Sequence, residues 1–125
     1  MSEYKELTEV LLVLIKAKEL IKDEDNWTRE VHARNIKDMP VDTFSNTACK
    51  FCVLGAIHRV CGSFTSGGFI GKTSGLLAKS LPDGPSSVWE YNDFYETTHK
   101  DILELFDKGI NSIKVKLQEV QKNEG

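Results

Sequence analysis

The sequence predicts a mainly α-helical (α+β) single domain, with about four helices around a buried central helix and a small β-hairpin. Three observations carry this. Leu7, Val10, Leu11, Leu14, Ile15 and Ile21 recur at three- and four-residue spacing, and Ile102, Leu103, Phe106, Ile110, Ile113, Leu117 and Val120 do the same near the other end, so each end is an amphipathic helix. Between them, residues 48–61 are apolar nearly all round, with Lys50, His58 and Arg59 as the only basic groups, and such a helix belongs inside a domain. The 125 residues, 40% hydrophobic and 28% charged, suit one domain (1–125) with a modest core.

The first helix is expected over about 2–23. The run from Leu11 to Ile15 widens its stripe, which is read as core packing, with contact to a second copy in a homodimer as the alternative use. A polar turn follows, and Trp27 is expected to plug the core and anchor its loop. From Thr28 to Phe44 the helical period is lost and Asp38-Met39-Pro40 breaks it outright, so 30–35 and 41–44 read as the two strands of a short hairpin. The central helix is expected over 47–60, capped by Ser45, Asn46 or Thr47 and closed by Gly62 in the left-handed conformation. Its Gly55 and Ala56 would let another helix approach closely. Residues 62–72 form a glycine-rich loop, followed by a short helix over 73–81 and a firm stop at Pro82-Asp83-Gly84-Pro85. A short element carrying Val88, Trp89 and Tyr91 leads into Asn92-Asp93. Thr98-x-x-Asp101 then opens the last helix as a capping box, and 121–125 should fray.

A formal charge of −3 and a pI near 5.6 leave no basic footprint, so nucleic acid is not an expected partner. The opening residues are acidic where a secretory signal is basic, and the run from Val10 to Ile15 is too short for a signal core or a membrane span. The chain is therefore expected in the cytoplasm and off the membrane. Three cysteines, an odd number, argue for reduced thiols over a disulfide framework.

Trp27, the block from Ala48 through Phe51-Cys52-Val53-Leu54-Gly55-Ala56 to Ile57, the pair Asn92-Asp93 and the closing helix resemble, in that order, an uncharacterised family of small bacterial and bacteriophage proteins. The resemblance covers about 27–113. It implies a shared fold and a bacterial or phage source, in which case the compartment is the host cytoplasm. It implies no activity.

Four constellations could carry chemistry. Cys49-x-x-Cys52 with His58-x-x-Cys61 offers four soft ligands for zinc. On one helix, however, His58 lies about 180° around and about 13 Å along from Cys49. Zinc remains only if the stretch is not helical, so no metal and no cofactor is expected, and the thiols read as packing residues. A thiol at a helix N-terminus has a lowered pKa, which makes Cys52 a candidate nucleophile with His32, His58 or His99 as base and Asn92 or Asp93 as orienting group. The run from Ser66 to Thr73 misses the P-loop pattern by one residue and follows no strand, but Lys72 and a helix start at Thr73 could still hold an anion. Finally, Asn92 and Asp93 could line a ligand pocket walled by Trp89 and Tyr91, or could tie a loop to backbone amides at the start of the central helix. The structural use is favoured.

The expected function is therefore a non-catalytic binding or interaction protein, acting on a host protein or a small polar, nucleotide-like ligand through Trp89, Tyr91, Asn92, Asp93 and Lys72. The alternative is a cysteine-dependent hydrolase or transferase using Cys52 with Asn92 or Asp93.

Overall fold

A computed structural model describes residues 3–62 and 68–124. In order, the chain forms α1 (Glu3–Leu20), a single 3-10 turn (Glu24–Asn26), β1 (Ala33–Arg34), β2 (Lys50–Phe51), α2 (Val53–Cys61), α3 (Gly68–Ala78), α4 (Val88–Asp93) and α5 (His99–Glu124). The class is the expected one: five helices and one two-stranded antiparallel sheet.

The two end helices form the frame, as their stripes require. They run antiparallel, since the His99 ring bonds the Ile21 carbonyl at 2.7 Å while Lys18 pairs with Asp107 at 2.6 Å. Val10, Val13, Leu14 and Ala17 on α1 face a core shared with Ile102, Phe106, Ile110 and Ile113 on α5. Each large side chain buried there contributes about 1.5–3 kcal/mol. The capping box forms as read: Asp101 N–H donates to Thr98 Oγ1 at 3.1 Å and Thr98 N–H to the Asp101 carboxylate at 3.0 Å. Gly109 lets α3 close on α5, because a Cβ there would stand 2.6 Å from Leu77 Cδ1.

The central helix is shorter than expected. Residues 49–52 are extended, because their amides are used by the chain around β1: Ala33 registers with Phe51 and Arg34 with Lys50, Cys49 N–H donates to Arg34 O, and Cys52 N–H to His32 O. Helix α2 therefore starts at Val53, with Cys52, not Ser45, Asn46 or Thr47, as its cap. Gly62 closes it in right-handed, not left-handed, geometry (φ −57°). Its smallness serves packing, since a Cβ would lie 2.3 Å from the Phe44 ring.

The expected hairpin survives in part. Asn35 N–H reaches Met39 O and Val41 N–H reaches Ala33 O around a turn in which Asp38 takes φ 66°. Pro40 has no N–H to extend that ladder. The strand paired with β1 is consequently β2, not 41–44.

Of the expected glycine-rich loop 62–72, residues 63–67 lie outside the described residues, and 68–72 are already helical in α3, which runs to Ala78 instead of spanning 73–81. At the other end, α5 continues through 121–124, where fraying was expected. Among the described residues, no helix is long and apolar enough to cross a membrane.

Candidate functional site

Helix α4 is short, and it is fixed from below. Ser87 caps it by accepting Glu90 N–H at 3.2 Å, and Val88 and Asn92, one turn apart, are its two buried residues. The Asn92 side chain is 1% exposed and fills its whole bonding capacity. Its Oδ1 accepts from Trp27 Nε1 at 2.8 Å and from Val53 N–H at 3.1 Å; its Nδ2 donates to Thr28 O at 3.1 Å and to Asp93 Oδ1 at 2.9 Å. That same Asp93 oxygen accepts Glu30 N–H at 2.8 Å, where Glu30 stands at φ 74°. The pair thus ties α4 to the Trp27 loop and to the first amide of α2, the structural use favoured on sequence grounds.

Trp27 completes the joint. Its ring is half-buried and carries the Arg29 guanidinium 4.5 Å from its centroid, and the same guanidinium donates to Thr97 O. The His99 ring lies 5.8 Å from it on the α5 side. The loop after α1, the start of α2, α4 and the start of α5 therefore meet around one asparagine and one tryptophan.

The five residues expected to line a ligand pocket do not converge. Asn92 has no bonding capacity left for a ligand, and Asp93 holds Glu30 and Asn92. Lys72 pairs with Glu6, which ties α3 to α1. Tyr91 is half-buried, and burial, followed by the charges of Asp101 and Glu104, pushes its phenol pKa up. Trp89, 58% exposed, faces solvent.

At the end of α4 lies a surface that sequence reading passed over. Phe94 and Tyr95 are 47% and 80% exposed, their rings 5.0 Å apart. A cleft of about 280 Å³ runs between the Asp83-Gly84-Pro85 turn and the Glu90 and Phe94 side of α4. Gly84 shapes that turn at φ +118°, a conformation L side chains rarely adopt. The available signal was local: four aromatics, Trp89, Tyr91, Phe94 and Tyr95, on or just after a short helix that buries only Val88 and Asn92.

The cysteines are placed as packing residues, two of them buried. Cys52 is buried, its Sγ accepts Gly55 N–H at 3.2 Å, and desolvation outweighs that bond to push its pKa up, where the helix N-terminus was expected to lower it. Cys61 is raised by burial as well, and all three thiols are free. Of the candidate bases, His32 accepts Cys52 N–H through its backbone carbonyl while its ring meets that of His58 edge-on at 6.2 Å, and His99 is bonded to Ile21 O. Because Cys49 lies outside α2, the one-helix geometry used against zinc does not apply. Among the described residues, no group of three or more His, Cys, Asp or Glu is placed to hold a metal. The near P-loop has its first two residues outside the described set, and Lys72 sits inside α3 instead of preceding its start.

The model of a family of unknown function, DUF6197, matches residues 5–112, which takes in α1 through most of α5 and the whole Asn92 joint, so the chain belongs to that family. No curated protein and no solved structure matches it.

Proposed function

We propose that this member of a family of unknown function is a non-catalytic interaction protein of bacterial or phage origin. It works in the cytoplasm and holds a host protein on the aromatic surface formed by α4 and the residues after it. One observation carries the reading: Trp89, Phe94 and Tyr95 stand 58%, 47% and 80% exposed on a segment that a fully bonded, buried asparagine locks to the Trp27 loop and to the start of α2. Exposed aromatics cost free energy in water and are enriched among the residues that dominate protein interfaces. Fixing them beforehand lowers the ordering cost of association.

A protein partner is favoured over a small polar ligand because the polar groups such a ligand would use are engaged within the fold: Asn92 and Asp93 with the backbone, Lys72 with Glu6. Burial of Cys52 and its raised pKa stand against the cysteine-hydrolase alternative. Three free thiols suit a reducing compartment, and the bacterial or phage source rests on the motif order given above.

The test is quantitative capture from host cells with the wild-type chain and with Trp89→Ala/Tyr95→Ala. A protein retained by the wild type and lost by a variant of unchanged melting temperature is the expected result. Equal retention by both chains would remove the aromatic surface from consideration.

A further inference from the structure

The cleft beside the aromatic surface has a chemical character of its own. Its walls are Pro85 and Phe94, and its rim carries the carboxylates of Asp83 and Glu90. Glu90 is held in place by the Ser86 hydroxyl, which donates to Oε2 at 2.5 Å, and by its position one helical turn before Phe94. From residue 80 to 98 the sequence has four carboxylates, Asp83, Glu90, Asp93 and Glu96, and no lysine or arginine. Asp93 is engaged by the Glu30 and Asn92 N–H groups, and the Arg29 guanidinium that approaches this end of the molecule is committed to the Trp27 ring and the Thr97 carbonyl. Among the described residues neither Asp83 nor Glu90 pairs with a lysine or arginine, so the two carboxylates make the cleft beside Phe94 negative.

We propose that the cleft between the Asp83-Gly84-Pro85 turn and the Glu90/Phe94 side of α4 receives an arginine or lysine side chain from a basic segment of the partner protein. The proposal rests on the interaction reading above and supplies the partner's chemistry. A cation in that position meets both attractions a cation seeks. The carboxylates accept its N–H groups, bidentately in the case of a guanidinium, and the ring face of Phe94 attracts its charge. Tyr95, its ring 5.0 Å from that of Phe94, then supplies apolar area for the residues next to the cation. An acidic or neutral polar segment would instead lose the water around two carboxylates without compensation.

The experiment is a titration of the full chain, followed by amide and indole NMR shifts, with a short alternating alanine–arginine peptide and with the same peptide carrying citrulline for arginine. Citrulline keeps the shape and removes the charge. Saturable shifts at Gly84, Glu90, Phe94 and the Trp89 indole with the arginine peptide alone are expected. They should weaken about three- to tenfold in Asp83→Asn/Glu90→Gln, the size of two exposed ion pairs, and weaken again as salt is raised. Equal shifts with the citrulline peptide would give the cleft to an uncharged segment, and no saturable shift with either would leave it without a basic occupant; both overturn the proposal. If the arginine peptide fails while Trp89→Ala/Tyr95→Ala still abolishes partner capture, the interaction reading stands and only the basic chemistry falls. If both fail, both fall.

Discussion

Asn92 holds more of this fold than any apolar residue near it. Replacing it with alanine leaves the Trp27 indole N–H and the Val53 amide unpaired in a region where Asn92 itself is 1% exposed. Each buried donor left unsatisfied costs about 1–3 kcal/mol, so Asn92→Ala should lower stability by about 2–5 kcal/mol in urea denaturation. A loss below about 1 kcal/mol would mean water replaces the amide without penalty. The thiols give a second prediction at this scale. Burial raises the folded-state pKa of Cys52 and of Cys61, so both are neutral in the native chain while the unfolded chain ionises at the ordinary thiol value. Their stabilising contribution is whole below about pH 8.5 and is lost as pH rises through the folded values. Tyr91, raised for the same first reason, adds to the loss further up. Melting temperature should therefore fall from about pH 8.5 upward, and fall less in Cys52→Ser/Cys61→Ser measured against its own value at pH 7. An alkaline limb as steep in that variant as in the wild type would assign the loss to other groups.

At the scale of elements, the segment from Cys49 to Cys61 shows what periodicity can and cannot decide. Apart from Lys50, His58 and Arg59 it is apolar, and an apolar run carries no internal mark of where a strand ends and a helix begins. Backbone partners decide it: Arg34 O in β1 takes the amide of Cys49, His32 O just before β1 takes that of Cys52, and α2 begins only after them. The same contact reassigns Gly55. Sequence reading gave its smallness to a neighbouring helix, whereas a Cβ at Gly55 would lie 2.0 Å from the backbone oxygen of His32, in the extended chain leading into β1. A carbonyl held by Cys52 N–H cannot step aside as a side chain can. Gly55→Ala should therefore cost about 3 kcal/mol, at the upper end of overpacking penalties, whereas alanine would ordinarily stabilise a helix. Differential scanning calorimetry reads the sign directly, and a melting temperature equal to or above wild type would show that the strand gives way. The last helix was legible to its first turn because its capping box is local chemistry: Thr98 and Asp101 bond one another whatever the rest of the chain does.

Across the whole molecule, the frame of α1 and α5 and the Asn92 joint are coupled, since Trp27, Val53 and Asn92 each belong to a different element and share one carboxamide. No element other than α5 exceeds 18 residues, and isolated helices of such lengths are marginal in water, so the elements depend on each other's burial. The chain should unfold in one transition. Trp89→Phe leaves Trp27 as the sole tryptophan, and its fluorescence midpoint in urea should coincide with the far-ultraviolet circular dichroism midpoint. Two separated midpoints would show that the Trp27 joint melts apart from the helical frame. The surface of the molecule belongs to this scale too. Trp89, Phe94 and Tyr95 are exposed because α4 spends its buried face on Val88 and Asn92, and the Asp83-Gly84-Pro85 turn closes a cleft against Phe94 from about ten residues earlier in the chain.

The sequence by itself determined the helical class, the two end helices and the cap of α5, because spacing and capping act over a few residues; it favoured a structural use of Asn92 over a pocket without fixing the partner. Tertiary structure alone decided the start of α2 at Val53, the pairing of β1 with Lys50–Phe51, the commitment of Lys72 to Glu6 and the burial that pushes the Cys52 pKa up. Each of these depends on which distant backbone or side chain arrives beside it. Partners remote in sequence leave no periodic signal in a single chain, and the energy that selects them is burial summed over the whole core.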